Sequence, residues 1–214
     1  MYDVAIINYE MGNLRSIQSA CKYVGLNSII TNKEKIINNS KCILLPGVGA
    51  FSQAMKNIKK LNLENIIKNF NKSGKLIFGV CLGMQLLFDE SNEIKKTKGL
   101  GLIKGKVENL NKKKSDKNNL INIGWEKISV KKKKGTCLNY SLNNKSFYFI
   151  HKYCCKPKNK DIIIANSRFN NVIFCSAIKS KNIEAYQFHP EKSGISGLKI
   201  YKNIKEKIRY ENFI

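Results

Sequence analysis

An α/β fold, built on a doubly wound, mixed but mostly parallel sheet flanked by helices, is predicted by three features of this 214-residue chain. Short, nearly continuous apolar runs alternate with amphipathic helical stretches through residue 88. Such runs suit strands covered by helices on both faces, as in parallel sheets. After Glu93 the pattern changes to short strand-like runs between lysine- and asparagine-rich loops, which predicts added antiparallel strands in the C-terminal half. No internal repeat or clear boundary divides the chain, so a single domain over 1–214 is expected.

The elements follow in order. Residues 3–8 (Asp3-Val4-Ala5-Ile6-Ile7-Asn8) make a first strand. Asn13 is placed to cap a helix over 14–24, whose Leu14, Ile17, Cys21 and Val24 fall on one stripe, and Gly25 ends it. Strands are expected at 28–30 and 42–45, the second closed by Pro46-Gly47-Val48-Gly49. Helices over about 50–60 and 63–73 lead to Lys75-Leu76-Ile77-Phe78, a run suited to a buried strand. Leu86-Leu87-Phe88 continues an apolar, helix-like face. Later strands are expected near 107–110, 146–150, 162–166, 172–178 and 183–188. The last delivers His189-Pro190-Glu191, and an amphipathic helix over about 196–208 follows.

Gly79-Val80-Cys81-Leu82-Gly83-Met84-Gln85 sits between a strand and a helix. A glycine two residues to either side of Cys81 leaves nothing to crowd a sharp turn. This is the logic of a nucleophile elbow, with sulfur in place of oxygen. A helix N-terminus favours the thiolate, the nucleophilic form. Pro46-Gly47-Val48-Gly49 alone is an ordinary turn, but its amides at a strand end can serve as half of an oxyanion hole. Both stretches fall at carboxyl ends of parallel strands, where sites in such sheets lie.

A cysteine nucleophile needs an imidazole in reach and often a carboxylate to orient that imidazole. The chain has two histidines, His151 and His189. Glu191 lies two residues beyond His189, on the same side of an extended segment, around a proline that restricts the backbone. Alone, the triplet reads as a capped helix start. With Cys81 it completes a candidate triad.

Composition narrows the setting. The formal net charge is +24, yet the lysines are scattered or gathered in expected turns, Lys112-Lys113-Lys114 and Lys131-Lys132-Lys133-Lys134, and acidic residues are few. A coding bias explains this as well as a partner does, so no nucleic acid is expected, and an acidic partner subunit suits the surface better. Seven cysteines, an odd number without C-x-x-C pairing, fit neither a disulfide framework nor a metal site and point to a reducing cytoplasm. No run approaches the roughly 18 apolar residues of a membrane helix, and no signal peptide is seen.

Gly-Val-Cys-Leu-Gly-Met-Gln, Pro-Gly-Val-Gly and Gln-Phe-His-Pro-Glu-Lys-Ser-Gly together resemble the class I (triad-type) glutamine amidotransferases, which have a flavodoxin-like fold. Asn8-Tyr9-Glu10-Met11-Gly12-Asn13-Leu14, Pro46-Gly47-Val48-Gly49-Ala50-Phe51 and Pro190-Glu191-Lys192-Ser193-Gly194 are similar to the glutaminase subunit of imidazole glycerol phosphate synthase. The resemblance runs from the first strand to the last helix. It implies that Cys81 attacks the side-chain amide of L-glutamine, His189 moves the proton and Glu191 holds the imidazole. It implies an oxyanion hole from the Leu82 amide and the Gly47–Val48 stretch, and substrate contacts from Gln85, Glu93 and Tyr153. It further implies a (β/α)8-barrel cyclase partner that uses the ammonia to make imidazole glycerol phosphate and AICAR, with Trp125 and Tyr148 at or near the interface. No metal and no cofactor is expected.

Three residues depart from the family pattern. Lys152 stands between the His and Tyr of His-x-Tyr, Glu126 follows the Trp of Gly-Trp, and Glu10 replaces a glycine. They keep two alternatives open. One is a paralogue supplying ammonia to a sugar amidotransferase in surface polysaccharide biosynthesis. The other is a catalytically silent binding module.

Overall fold

The computed structural model describes residues 1–110, 121–132 and 134–210. Lys112-Lys113-Lys114 and Lys133 of the expected basic turns lie outside the described residues. The elements run β1 Val4–Ile7, α1 Leu14–Tyr23, β2 Ser28–Thr31, α2 Glu34–Asn38, β3 Cys42–Leu45, α3 Phe51–Lys60, α4 Leu63–Lys72, β4 Leu76–Val80 and α5 Leu82–Leu86. Then come β5 Phe88–Ser91, β6 Thr97–Lys98, β7 Ile103–Asn109, β8 Asn122–Val130, β9 Ser146–His151, β10 Tyr153–Pro157, β11 Ile163–Phe169, β12 Val172–Ser180, β13 Ile183–Tyr186 and α6 Gly194–Tyr210.

The main sheet has nine strands in the order β2-β1-β3-β4-β13-β12-β11-β8-β9. From β2 to β13 every neighbouring pair is parallel, and from β13 to β9 every pair is antiparallel. The parallel half expected from the apolar runs and the strands expected at 146–150, 162–166 and 172–178 are therefore one continuous sheet, while the run expected at 107–110 falls in β7 of another sheet, where it pairs parallel with β5. A second sheet, β10-β7-β5-β6, stands apart from it.

The alternation of side chains along a strand builds a core on each face. Val4 and Ile6 of β1 join Ile17 and Cys21 of α1 and Ile200 and Ile204 of α6. Ala5 and Ile7 point the other way, onto Phe51, Met55 and Ile58 of α3 and Ile67 and Phe70 of α4. The Asn13 side chain caps α1 by accepting from Ser16 N at 3.4 Å, as its position predicts. Gly25 ends that segment at φ +73°.

Several elements differ from the expectation. Helix α5 stops at Leu86, and Phe88 already begins β5, so Leu86-Leu87-Phe88 does not extend a helix. Residues 82 to 88 are all buried, which erases the polar side that would mark a helix end. The carbonyls that another turn would have used are taken instead: Leu86 O accepts from Leu100 N at 2.8 Å and Leu87 O from Leu102 N and Ile103 N, both at 2.9 Å. Helix α2 and strands β5, β6, β8 and β10 carry no clear periodic signal, and β7 reaches further back than the run at 107–110. Strand β8 has an unusual outward face in which Ile123 and Trp125 are exposed, so its pattern does not read as polar-out.

Candidate active site

Four parallel strands bring their carboxyl ends to one rim. Strand β1 leads into Tyr9, β3 into Pro46-Gly47, β4 into Cys81 and β13 into Gln187-Phe188-His189. Cys81 adopts φ +52°, ψ −109°, in the region where L-residues are strained by about 1–3 kcal/mol. Its backbone is pinned there: Cys81 N donates to Tyr186 O at 2.7 Å and Cys81 O accepts from Gln85 N at 3.2 Å. The elbow is possible because neighbouring backbones touch. A methyl group on Gly83 would collide with the carbonyl of Leu45, and one on Gly47 would strike Leu82 Cβ and, at 2.5 Å, Gly83 N. Gly47 thus lies directly on the start of α5, beside Leu82, while the Val48 side chain stays exposed. The Tyr9 hydroxyl holds this strand end by donating to Pro46 O at 2.5 Å. Burial, with the charge of Cys81, pushes the Tyr9 phenol up, so it stays neutral.

His189 arrives beside the elbow on the segment after β13. That segment is tied to β9 by His189 N donating to Tyr148 O at 2.9 Å. Ser193 clamps the same turn, donating its hydroxyl to His189 O at 2.6 Å and accepting from Tyr148 N at 3.0 Å. The ring nitrogen Nδ1 meets Glu191 Oε1 at 2.7 Å, with both side chains buried. Nε2 is buried without a formed hydrogen bond. Burial pulls the imidazole down. The charge of Cys81, a side-chain interaction with it and the Glu191 carboxylate overcome this and raise His189 to about 10. A charged sulfur on one side and the Glu191 carboxylate on Nδ1 therefore both favour the protonated ring. A thiolate beside an imidazolium is able to attack a carbonyl carbon and then protonate the leaving group.

His151 is nearby and set up differently. Its Nδ1 lies 2.9 Å from Tyr153 O and its Nε2 lies 3.2 Å from Asn122 Nδ2, so both ring nitrogens are taken. Burial lowers it to about 4, the Tyr153 carbonyl opposing and the positive His189 adding to the fall.

The other predicted residues connect to the elbow through a chain of amides. Gln85 Nε2 donates to Tyr153 O at 2.9 Å and to Gln187 Oε1 at 3.2 Å. The Tyr153 hydroxyl donates to Glu93 O at 3.0 Å. The Glu93 carboxylate is partly engaged elsewhere, its Oε2 accepting from Phe51 N at 2.6 Å at the start of α3. Gln187 is the residue that sequence reasoning missed. Its Nε2 donates to Cys81 Sγ at 3.7 Å. Its place in a run expected as a strand gave no sign that its side chain turns toward the sulfur.

Trp125 and Tyr148 pair edge-to-face at 6.0 Å across β8 and β9, outside the chain of amides. Of the three departures, Glu10 is an exposed residue at φ +64°, a conformation that glycine accepts without strain. Glu126 opposes Phe147 on β9, and Lys152 is half-buried between β9 and β10. Among the described residues no group of three or more His, Cys, Asp or Glu side chains could hold a metal ion.

The model of the family described as glutamine amidotransferase class-I matches residues 5–205. The chain belongs to this family. Within it, the chain is similar to the imidazole glycerol phosphate synthase subunit HisH of Chlorobium chlorochromatii, at 38% identity over 95% of this chain and 99% of that relative. The subunit of the same description from Caldanaerobacter subterraneus subsp. tengcongensis is 42% identical over 96% of this chain and 98% of its own length. Among solved structures, PurLQS from Thermotoga maritima aligns with a TM-score of 0.72 at 16% identity, covering 99% of this chain and 100% of that one. At that identity the match speaks for the amidotransferase fold alone.

Proposed function

We propose that the chain is the glutaminase subunit of imidazole glycerol phosphate synthase, with Cys81 as the nucleophile that releases ammonia from L-glutamine. The observation that carries this is the strained elbow at Cys81 beside a buried His189 whose Nδ1 is held at 2.7 Å by the buried Glu191. The sulfur attacks the carboxamide carbon and forms a glutamyl thioester. His189 gives its proton to the departing ammonia. Water, deprotonated by the same imidazole, then hydrolyses the thioester to glutamate and restores the thiol. Glu191 keeps the ring oriented and balances its charge. The backbone amides of Leu82 and of the Gly47–Val48 stretch receive the oxyanion. Gln85, Glu93 and Tyr153 hold the substrate glutamine.

The ammonia passes to a (β/α)8-barrel cyclase, the other half of a heterodimer in histidine biosynthesis, so that it is not lost to water. Trp125 and Tyr148 lie at or near the docking face. The reading is supported by their position: Trp125 is 57% exposed, and Tyr148 is bonded through its backbone to His189 and Ser193. The whole chain works as one domain, in the cytoplasm. No helix among the described residues is long and apolar enough to cross a membrane.

The test is to recover the chain with its partner at native expression level and assay glutaminase activity of the complex. Co-purification with a cyclase barrel and glutamine-dependent cyclase turnover are expected. Failure to raise that turnover with any cyclase barrel of its own cell would end the histidine-pathway assignment. A glutamine-like diazo-ketone should label the complex, and Cys81→Ala should abolish labelling. An unlabelled complex would mean a silent binding module.

A further inference from the structure

We propose that Gln187 is a positioning residue of this site: it holds an N–H donor on the Cys81 sulfur through a relay of fixed amide polarity that starts at the main-chain carbonyl of Tyr153. This rests on Cys81 being the nucleophile. A carbonyl oxygen can only accept. Tyr153 O lies 2.9 Å from Gln85 Nε2 and 2.9 Å from His151 Nδ1, so the amide nitrogen of Gln85 has to face it. The second hydrogen of that nitrogen goes to Gln187 Oε1, at 3.2 Å. With its oxygen so occupied, Gln187 turns its own nitrogen to Cys81 Sγ, at 3.7 Å. Flipping either amide would set two oxygens, or two nitrogens, against each other. Gln187 is 0% exposed, and its backbone is held by Gln187 N donating to Ser176 O at 2.9 Å, so solvent offers no alternative.

The sulfur thus has separate partners for its two protonation states. As a thiol it donates to Ile150 O, at 3.7 Å. As a thiolate it has no proton to give that carbonyl, and the waiting Gln187 N–H becomes a charge-assisted bond. Proton transfer from Cys81 Sγ to His189 breaks S–H and forms N–H, and Gln187 favours the product of that step. The titratable groups that act on Cys81 are His189 with Glu191 behind it, the Tyr9 phenol and the Cys155 thiol. The Tyr9 hydroxyl is committed to Pro46 O, and burial holds Cys155 far above its ordinary range.

The experiment follows alkylation of Cys81 by iodoacetamide in the full chain across pH, with the modified peptide read by mass spectrometry. Gln187→Glu keeps the acceptor for Gln85 and replaces the donor on sulfur by an oxygen. Gln187→Met removes both. Gln187→Met should slow alkylation at neutral pH about tenfold and move the inflection upward by about one pH unit, the size of one hydrogen bond to a charged group, and Gln187→Glu should do so by more, because its carboxylate sets a like charge against the sulfur. Unchanged profiles in folded variants overturn the proposal. If both variants fail to fold, Gln85→Met tests it, because it leaves Gln187 in place and frees its amide to turn. A smaller shift in the same direction is then expected, and none overturns the idea. Failure of the nucleophile assignment looks different: Cys81 of the unmodified chain would resist both iodoacetamide and the diazo-ketone, even with the cyclase present, and the relay would fall with it.

Discussion

His189 and His151 both close a strand-like run, both are buried and both lie near the elbow, yet their imidazoles are held in opposite charge states. His189 faces a carboxylate at 2.7 Å and the Cys81 sulfur, and is raised to about 10. His151 faces a main-chain carbonyl and an amide, with the positive His189 as a neighbour, and is lowered to about 4. Burial alone makes an imidazole neutral, and only a nearby negative charge reverses that. The histidine whose ring is raised is thus the one with the carboxylate two residues away.

The largest expected effect tests which ring does the chemistry. Cys81→Ala and His189→Ala should each cut glutamine-dependent turnover by at least about ten-thousandfold, with ammonia-dependent synthesis by the partner intact. His151→Gln should stay within about tenfold of the parent, since it removes no reacting group. A folded His151→Gln protein without turnover would reverse the two roles. Loss of ammonia-dependent synthesis in Cys81→Ala would mark that residue as structural.

Next comes the carboxylate. Glu191→Gln should lower turnover by about a thousandfold, less than loss of the sulfur, because an orienting group is removed while the nucleophile stays. A loss as complete as that of Cys81→Ala would argue against the division of roles. The pH profile of turnover in the same variant should show the His189 inflection moving down from about 10, since one of its supports is gone.

The two rings also predict opposite slopes of stability with pH. His151 is lowered from 6.5 to about 4, so acidification between those values protonates the unfolded chain but not the native one. Native stability should fall across that window by about 3 kcal/mol, and His151→Gln should flatten the fall in urea midpoints. His189 is raised, so its contribution is fully present below 6.5 and is lost as pH climbs toward about 10. A fall in acid that persists unchanged in His151→Gln would refute the neutral assignment.

The smallest expected effect concerns the elbow itself. Cys81→Gly should be more stable than Cys81→Ala by about 1 kcal/mol, because only glycine adopts a positive φ without strain. Equal denaturant midpoints would show that the elbow is unstrained when the sulfur is absent.

Much of this was legible in one dimension. The apolar runs at 3–8, 42–45 and 75–78 became β1, β3 and β4, and the Asn13 and Gly25 signals bounded α1 where expected. Gly83 and Gly47 were legible because they do a local job: a side chain on Gly83 would strike the Leu45 carbonyl, and one on Gly47 would strike Leu82 and Gly83 N. The stretch from Leu86 to Thr97 was not legible. Leu86 to Phe88 are buried, the carbonyls of Leu86 to Asp89 accept from the amides of residues 99 to 103, and periodicity carries no information about such a switch.

The sequence by itself determined the strand-and-helix rhythm, the elbow residues and the pairing of His189 with Glu191, because each follows from side-chain type and short spacing along one backbone. Only the tertiary structure decided which histidine stays charged, that Gln187 turns its nitrogen toward the sulfur, and that Tyr153 anchors Gln85. Those outcomes depend on dielectric, charge and hydrogen-bond polarity set by residues up to about a hundred positions apart, such as Gln85 and Gln187. Local preference does not reach that far, and packing does.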